Sequence, residues 1–91
     1  MSIFKIFNRG SISADEQLAM MGFNLRYDDD EGIIYRRDSN VQYIEQIEIT
    51  RRDNRMHTIK FYEIPTDHAI EVPFPVMILL LKKLEEKGWI E

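Results

Sequence analysis

Two glycines punctuate this chain in the same way. Leu18 is followed four and five residues later by Gly22 and Phe23, and Leu84 is followed at the same spacing by Gly88 and Trp89. A glycine just past the last turn of a helix takes the left-handed backbone conformation without a Cβ penalty, and the aromatic after it folds back onto the leucine. The pattern predicts a helix near each end and an extended region between them.

The first helix also has a start signal. Ser13 and Glu16 stand at capping-box spacing, so the Ser13 hydroxyl can accept from the Glu16 N–H. Asp15 and Glu16 suit the positive end of the helix dipole. A helix from about Ala14 to Met21 follows. At about eight residues it is marginal alone and needs packing through Leu18, Met21 and Phe23.

After Gly22 the apolar period drops to two. Phe23, Leu25 and Tyr27 share a face, and Asp28, Asp29, Asp30 and Glu31 lead into Gly32 as a turn. Ile33 and Tyr35 point inward, with Ile34 and Arg36 outward. Val41, Tyr43, Ile47 and Ile49 oppose Gln42, Gln46, Glu48 and Thr50 on the third strand. Glu45 falls among the inward positions, which predicts a bulge or an exposed strand end. His57, Ile59 and Phe61 form the inward set of the fourth strand. Short turns at residues 38–40 and 52–54 favour an antiparallel meander. Ile70 and Val72 predict a short fifth strand, edge-placed because Pro73 has no N–H to donate.

Pro75 suits the first turn of a last helix running to about Lys87. Met77, Leu80, Leu81 and Leu84 follow helical spacing. Val76, Ile78 and Leu79 widen the apolar arc, as expected of a helix clasped on more than one side or meeting a partner. Lys82, Lys83 and Lys87 stand toward the negative end of its dipole.

The fold class is therefore α+β: a four- or five-stranded antiparallel β-meander, with a short N-terminal helix and a longer C-terminal helix packed on one face. Residues 13–91 form a single domain, preceded by an apolar and basic segment at residues 1–12. The expected core comprises Leu18, Met21, Phe23, Leu25, Tyr35, Tyr43, Ile47, Ile49, Ile59, Phe61, Met77, Leu80, Leu81, Leu84 and Trp89. Trp89 is expected to be at least half buried.

Composition narrows the function. At 91 residues there is room for one domain, and a net charge of −4 gives no global pull toward nucleic acid or acidic membranes. Cysteine is absent, which excludes disulfides, thiolate metal sites and a cysteine nucleophile. Residues 1–10 lack the ~7–15-residue apolar core of a signal peptide, and residues 76–81 are far short of a span of ~20 residues. The expectation is a soluble cytoplasmic protein with no membrane span.

No reactive constellation is legible. Four consecutive acids do not give the spaced oxygen ligands of a calcium loop, so the first turn reads as a solvated hairpin tip. His57 and His68 are the only histidines and lack a second ligand at metal spacing, although Asp67 adjoins His68. The serines lie outside any nucleophile elbow, and the four glycines form no phosphate loop. The reading is a non-catalytic protein with no cofactor and no metal.

Two features exceed what a monomer needs. Ile3, Phe4, Ile6 and Phe7 gather on one side if helical, opposite Lys5 and Arg9. On the outward sheet face Ile34, Ile44, Met56, Tyr62 and Ile64 interrupt the polar residues, and a contiguous apolar patch there implies a partner. Two helices cover only one face of such a sheet. These residues form the candidate interaction surface of a protein-interaction module, with a homodimer among its forms. Arg51, Arg52 and Arg55 flank the third turn and carry the alternative: a nucleic-acid accessory protein gripping backbone phosphate, or a contact to an acidic partner. In a meander that basic turn lies beside the acidic first turn, where the two can neutralise each other.

The layout from Glu16 to Phe23, the alternating stretches at Tyr27, Ile33 to Tyr35 and Ile59 to Phe61, and residues 80–84 leading to Lys87, Gly88, Trp89 and Ile90 together resemble small proteins carried by phages and prophages of Gram-positive bacteria. The resemblance spans roughly residues 13–90. It implies an accessory protein of a mobile element and transfers no catalytic or binding residue.

Overall fold

The computed structural model describes residues 12–40, 42–52 and 57–90. Helix α1 spans Ala14–Met20. Ser13 is extended, and its Oγ accepts from the Glu16 N–H at 3.1 Å, as the cap spacing predicts. Helix α2 spans Phe74–Glu86, with Pro75 in its first turn. Its last helical residue, Glu86, stands one short of the expected limit, and Lys87 is the C-cap.

Both predicted stops are present. Gly22 has φ +91°; its N–H donates to the Ala19 carbonyl at 2.9 Å, and the Phe23 N–H donates to the Leu18 carbonyl at 2.9 Å. Gly88 has φ +75°, with Gly88 N–H to Glu85 carbonyl at 3.0 Å and Trp89 N–H to Leu84 carbonyl at 2.9 Å. These are paired Schellman bonds. A Cβ at Gly88 would meet nothing within 4 Å, so Gly88→Ala probes backbone conformation alone. It should lower stability by about 1–2 kcal/mol in urea denaturation. Gly88→Asn should lose less, because asparagine tolerates the left-handed region.

Among the described residues four strands form one antiparallel sheet in the order β1-β2-β3-β4: β1 (Asn24–Asp28), β2 (Gly32–Asp38), β3 (Ile44–Arg51) and β4 (His57–Ile64). The meander and the α+β class are as read from the sequence. In place of a fifth strand, the described residues contain an isolated bridge between Tyr62 and Ala69. The Ile70 N–H donates to the Phe61 carbonyl at 2.8 Å, and the Glu63 N–H donates to the His68 carbonyl at 2.9 Å. Beyond Ile70 the chain leaves the sheet edge.

The irregularity expected at Glu45 lies elsewhere. β3 pairs with β2 and β4 in unbroken register, and Glu45 is held by Arg37 at 2.9 Å. The Arg37 guanidinium also covers the Phe23 ring at 4.1 Å. An inward charge thus needs no bulge when a neighbouring strand supplies its partner. The register shift falls in β1, between Leu25 and Tyr27. Leu25 stands opposite Tyr35, Tyr27 opposite Ile34, and Asp28 opposite Ile33. The extra residue therefore turns Tyr27 to the outer face and Asp28 to the helix side. The expectation that Phe23, Leu25 and Tyr27 share one buried face is corrected: Phe23 is buried, whereas Leu25 and Tyr27 are 40% and 50% exposed.

The core joins Leu18 of α1, Phe23, strand residues Ile33, Tyr35, Ile47, Ile49 and Phe61, and Val76, Leu79, Leu80 and Leu84 of α2. Ile59, Leu81 and Trp89 pack against it while only partly buried, which meets the expectation for Trp89. Tyr43 and Met77 are also partly buried, but Met21 is exposed because it caps the helix rather than facing inward. The inner face of α2 is rotated from the expected stripe, so Val76 and Leu79 enter the cluster and Met77 does not.

Candidate functional site

The outer sheet face is built from alternate residues of β2, β3 and β4. Ile44 stands directly opposite Ile64, Tyr62 opposite Gln46, and Ile34 opposite Glu48. A polar row crosses between the apolar ends. Arg36 Nε donates to Gln46 Oε1 at 2.6 Å, Gln46 Nε2 donates to the Tyr62 hydroxyl at 2.6 Å, and that hydroxyl donates to Glu48 Oε1 at 2.9 Å. Gln46 is only 5% exposed beneath its neighbours. The structure thus brings Ile44 and Ile64 together and sets the polar row between them and Ile34. Burial, and then the Glu48 carboxylate, push the Tyr62 hydroxyl pKa upward. Ile3, Phe4, Ile6, Phe7 and Met56 lie outside the described residues.

The charged turns meet other partners. Arg51 and Glu31 are neighbours through an Arg51 N–H to Glu31 carbonyl bond of 2.9 Å, as the meander requires. The Arg51 guanidinium stands 5.4 Å over the Trp89 ring. Arg52 is exposed, and Arg55 is outside the described residues. The acidic turn, expected as a solvated tip, is tied to α2. Asp28 takes Lys83 at 2.8 Å and also pairs with Lys87, while Lys87 donates to the Asp29 carbonyl at 2.7 Å. Lys83 reaches Asp15 at 2.8 Å, and the other oxygen of Asp15 accepts from the Tyr35 hydroxyl at 2.5 Å. One connected set of charges therefore joins α1, β1, β2 and α2.

Burial works against the charges in this set, and the partners win. Burial draws the Asp28 pKa up, but hydrogen bonds from Lys83 and Lys87 hold it below its ordinary value. Burial draws the Lys83 pKa down, but Asp15 and Asp28 raise it. Tyr35 is pushed up by burial and by its bond to Asp15. Every member has a partner, which is the signature of a structural network.

The histidines occupy different settings. His57 stacks on Trp89, with ring centroids 5.4 Å apart and planes 28° apart, and its Nε2 lies 3.2 Å from the Trp89 carbonyl. His68 is exposed, and its backbone N–H donates to Thr66 Oγ1 at 3.3 Å. Among the described residues no three His, Asp or Glu side chains gather to hold a metal. No helix among them is long and apolar enough to cross a membrane.

A groove of about 590 Å³ opens where residues 70–72 diverge from β4. Ile59, Phe61, Ile70 and Val72 line one part, and Glu48, Lys60, Tyr62 and Asp67 another. The Phe61 carbonyl and Glu63 N–H point away from β3, because they bond to Ile70 and His68. By the ladder's two-residue period, the N–H and carbonyl of Ile59 and the N–H of Phe61 point the same way. Among the described residues no partner meets these three groups. Asp67 sits at φ +62°, with its N–H on the Glu63 carbonyl at 2.7 Å, and its carboxylate has no partner among the described residues. Sequence reasoning missed the groove by extending the fifth strand through Val72. Pro73 was the available signal, because it has no N–H with which to continue a ladder.

Comparison with protein-family models, curated proteins and solved structures returns no match.

Proposed function

We propose that the protein is a non-catalytic protein-interaction module that docks a partner chain in the groove beside β4. The observation that carries this reading is the set of main-chain groups at Ile59 and Phe61 that meet no partner among the described residues, standing within an apolar-floored groove. Unpaired strand edges are templates for another chain. The opposite edge is guarded: β1 carries a bulge, Arg26, and an Asp28 drawn toward α2. β4 holds its register without a bulge. The resemblance to phage and prophage proteins adds the proposal that the module serves a mobile element. The nucleic-acid alternative draws on Arg51, Arg52 and Arg55, but Arg51 stands over Trp89 and supports the fold there.

Selection of binders from a random peptide display library tests the docking reading. Selected peptides should shift the backbone amide resonances of Ile59 and Phe61. Light scattering alongside should show whether a second copy fills the groove at high concentration. Selected peptides that leave these amides unmoved, together with a strict monomer, would defeat the proposal.

A further inference from the structure

We propose that the occupant of the groove is an extended peptide that adds to β4 as a fifth strand and presents a lysine or arginine to Glu48 and Asp67. This rests on the docking reading above and names the chemistry of the partner. The open groups at Ile59 and Phe61 are two residues apart on one strand edge, a spacing of about 6.7 Å. Only another extended chain repeats donors and acceptors at that interval; a helix has already spent its main-chain groups on itself. Among the described residues this stretch of the edge has no partner, because residues 68–70 pair only with its neighbour, at Phe61 and Glu63.

Alternation then sorts the side chains of the incoming strand. Successive residues point to opposite sheet faces. On the inner side they meet Ile59, Phe61 and Val72, which favours an apolar residue. On the outer side they meet Glu48, Tyr62 and Asp67. Glu48 spends one oxygen on the Tyr62 hydroxyl at 2.9 Å, and its other oxygen has a Thr50 hydroxyl at 3.5 Å. The Asp67 carboxylate is unpartnered among the described residues. Against these two carboxylates the described lining residues offer one cation, Lys60. A cation on the incoming strand gains charge-assisted hydrogen bonds there, whereas an anion meets repulsion.

The experiment titrates the 15N-labelled full chain with a capped hexapeptide that alternates lysine and valine. Shifts should centre on the amides of Ile59 and Phe61. Replacing the lysines with glutamate should weaken binding by about tenfold or more. N-methylating the amides that face β4 should abolish it. The double variant Glu48→Gln with Asp67→Asn should weaken the lysine peptide severalfold and leave a serine–valine peptide unchanged. Both replacements keep local structure, since glutamine still accepts from Tyr62 and asparagine tolerates positive φ. Equal binding of the lysine and glutamate peptides would overturn the charge assignment. Tolerance of N-methylation would overturn strand addition. In either case the docking reading survives, provided that the groove amides shift. A dimer formed through β4 would replace the cationic peptide with a second copy. If neither the hexapeptides nor library-selected peptides move those amides and the chain is monomeric, both proposals fall.

Discussion

Trp89→Ala should lower the unfolding free energy by about 3 kcal/mol, at the lower end for loss of a large aromatic because the ring is only partly buried. The side chain closes α2 against the sheet from several directions. Its ring stacks on His57 and lies 4.6 Å from Lys87 Nζ and 5.4 Å from the Arg51 guanidinium. It also packs on the core cluster directly after the Gly88 stop. Truncation removes apolar area, the aromatic stack and two cation–π contacts in one step. Trp89→Phe should recover more than half of the loss. Urea unfolding followed by circular dichroism is the measurement, because Trp89 is the sole tryptophan and its fluorescence disappears with it. A loss under 1 kcal/mol would show that the ring is not the clasp described here.

Lys83→Met should cost about 2–3 kcal/mol at neutral pH. Removing one member of a buried ion pair leaves the other charge uncompensated. Here the Lys83 side chain is 8% exposed, while the Asp15 and Asp28 side chains are 32% and 26% exposed, so water offsets part of the loss. The pH profile carries a sharper test. The folded Asp28 pKa is lowered, so its contribution is present above the ordinary carboxyl range and is lost as pH falls through the lowered value. The Lys83 and Tyr35 pKa values are raised, so their contributions are complete below about pH 10 and decline as pH rises beyond it. Wild type should therefore show a plateau with an acid limb and an alkaline limb. Lys83→Met should flatten the acid limb in particular, although Lys87 still serves Asp28. Identical pH profiles for the two proteins would remove Lys83 from the network's energetics. Adding Asp28→Asn to Lys83→Met should then cost much less than it does in wild type.

The legible parts of this fold were those set by neighbours in the chain. Ser13 with Glu16, Gly22 with Leu18 and Phe23, and Gly88 with Leu84 and Trp89 each close their hydrogen bonds within six residues. Alternation at Ile33, Tyr35, Ile47 and Ile49 marked the buried side of β2 and β3 directly. β1 was misread because Leu25 and Tyr27 look apolar whichever face they take. A bulge leaves no composition signature in a strand flanked by Arg26 and Asp28.

The groove was hidden for a related reason. Ile70 and Val72 alternate as a strand would, but pairing requires a partner edge to stay within hydrogen-bond reach. That depends on where Pro73 and α2 carry the chain. The acidic turn likewise read as solvated because its lysine partners lie 55 and 59 residues away along the chain. From its residues alone this protein had its helix ends, its meander and most of its core, because those follow from local backbone conformation and from the period of apolar side chains. Tertiary structure alone decided that Asp28 faces α2, that Glu45 is neutralised by Arg37, and that the β4 edge finds no partner beyond Ile70 among the described residues. Each of these depends on which distant groups come within a few ångströms, and no local pattern encodes that distance.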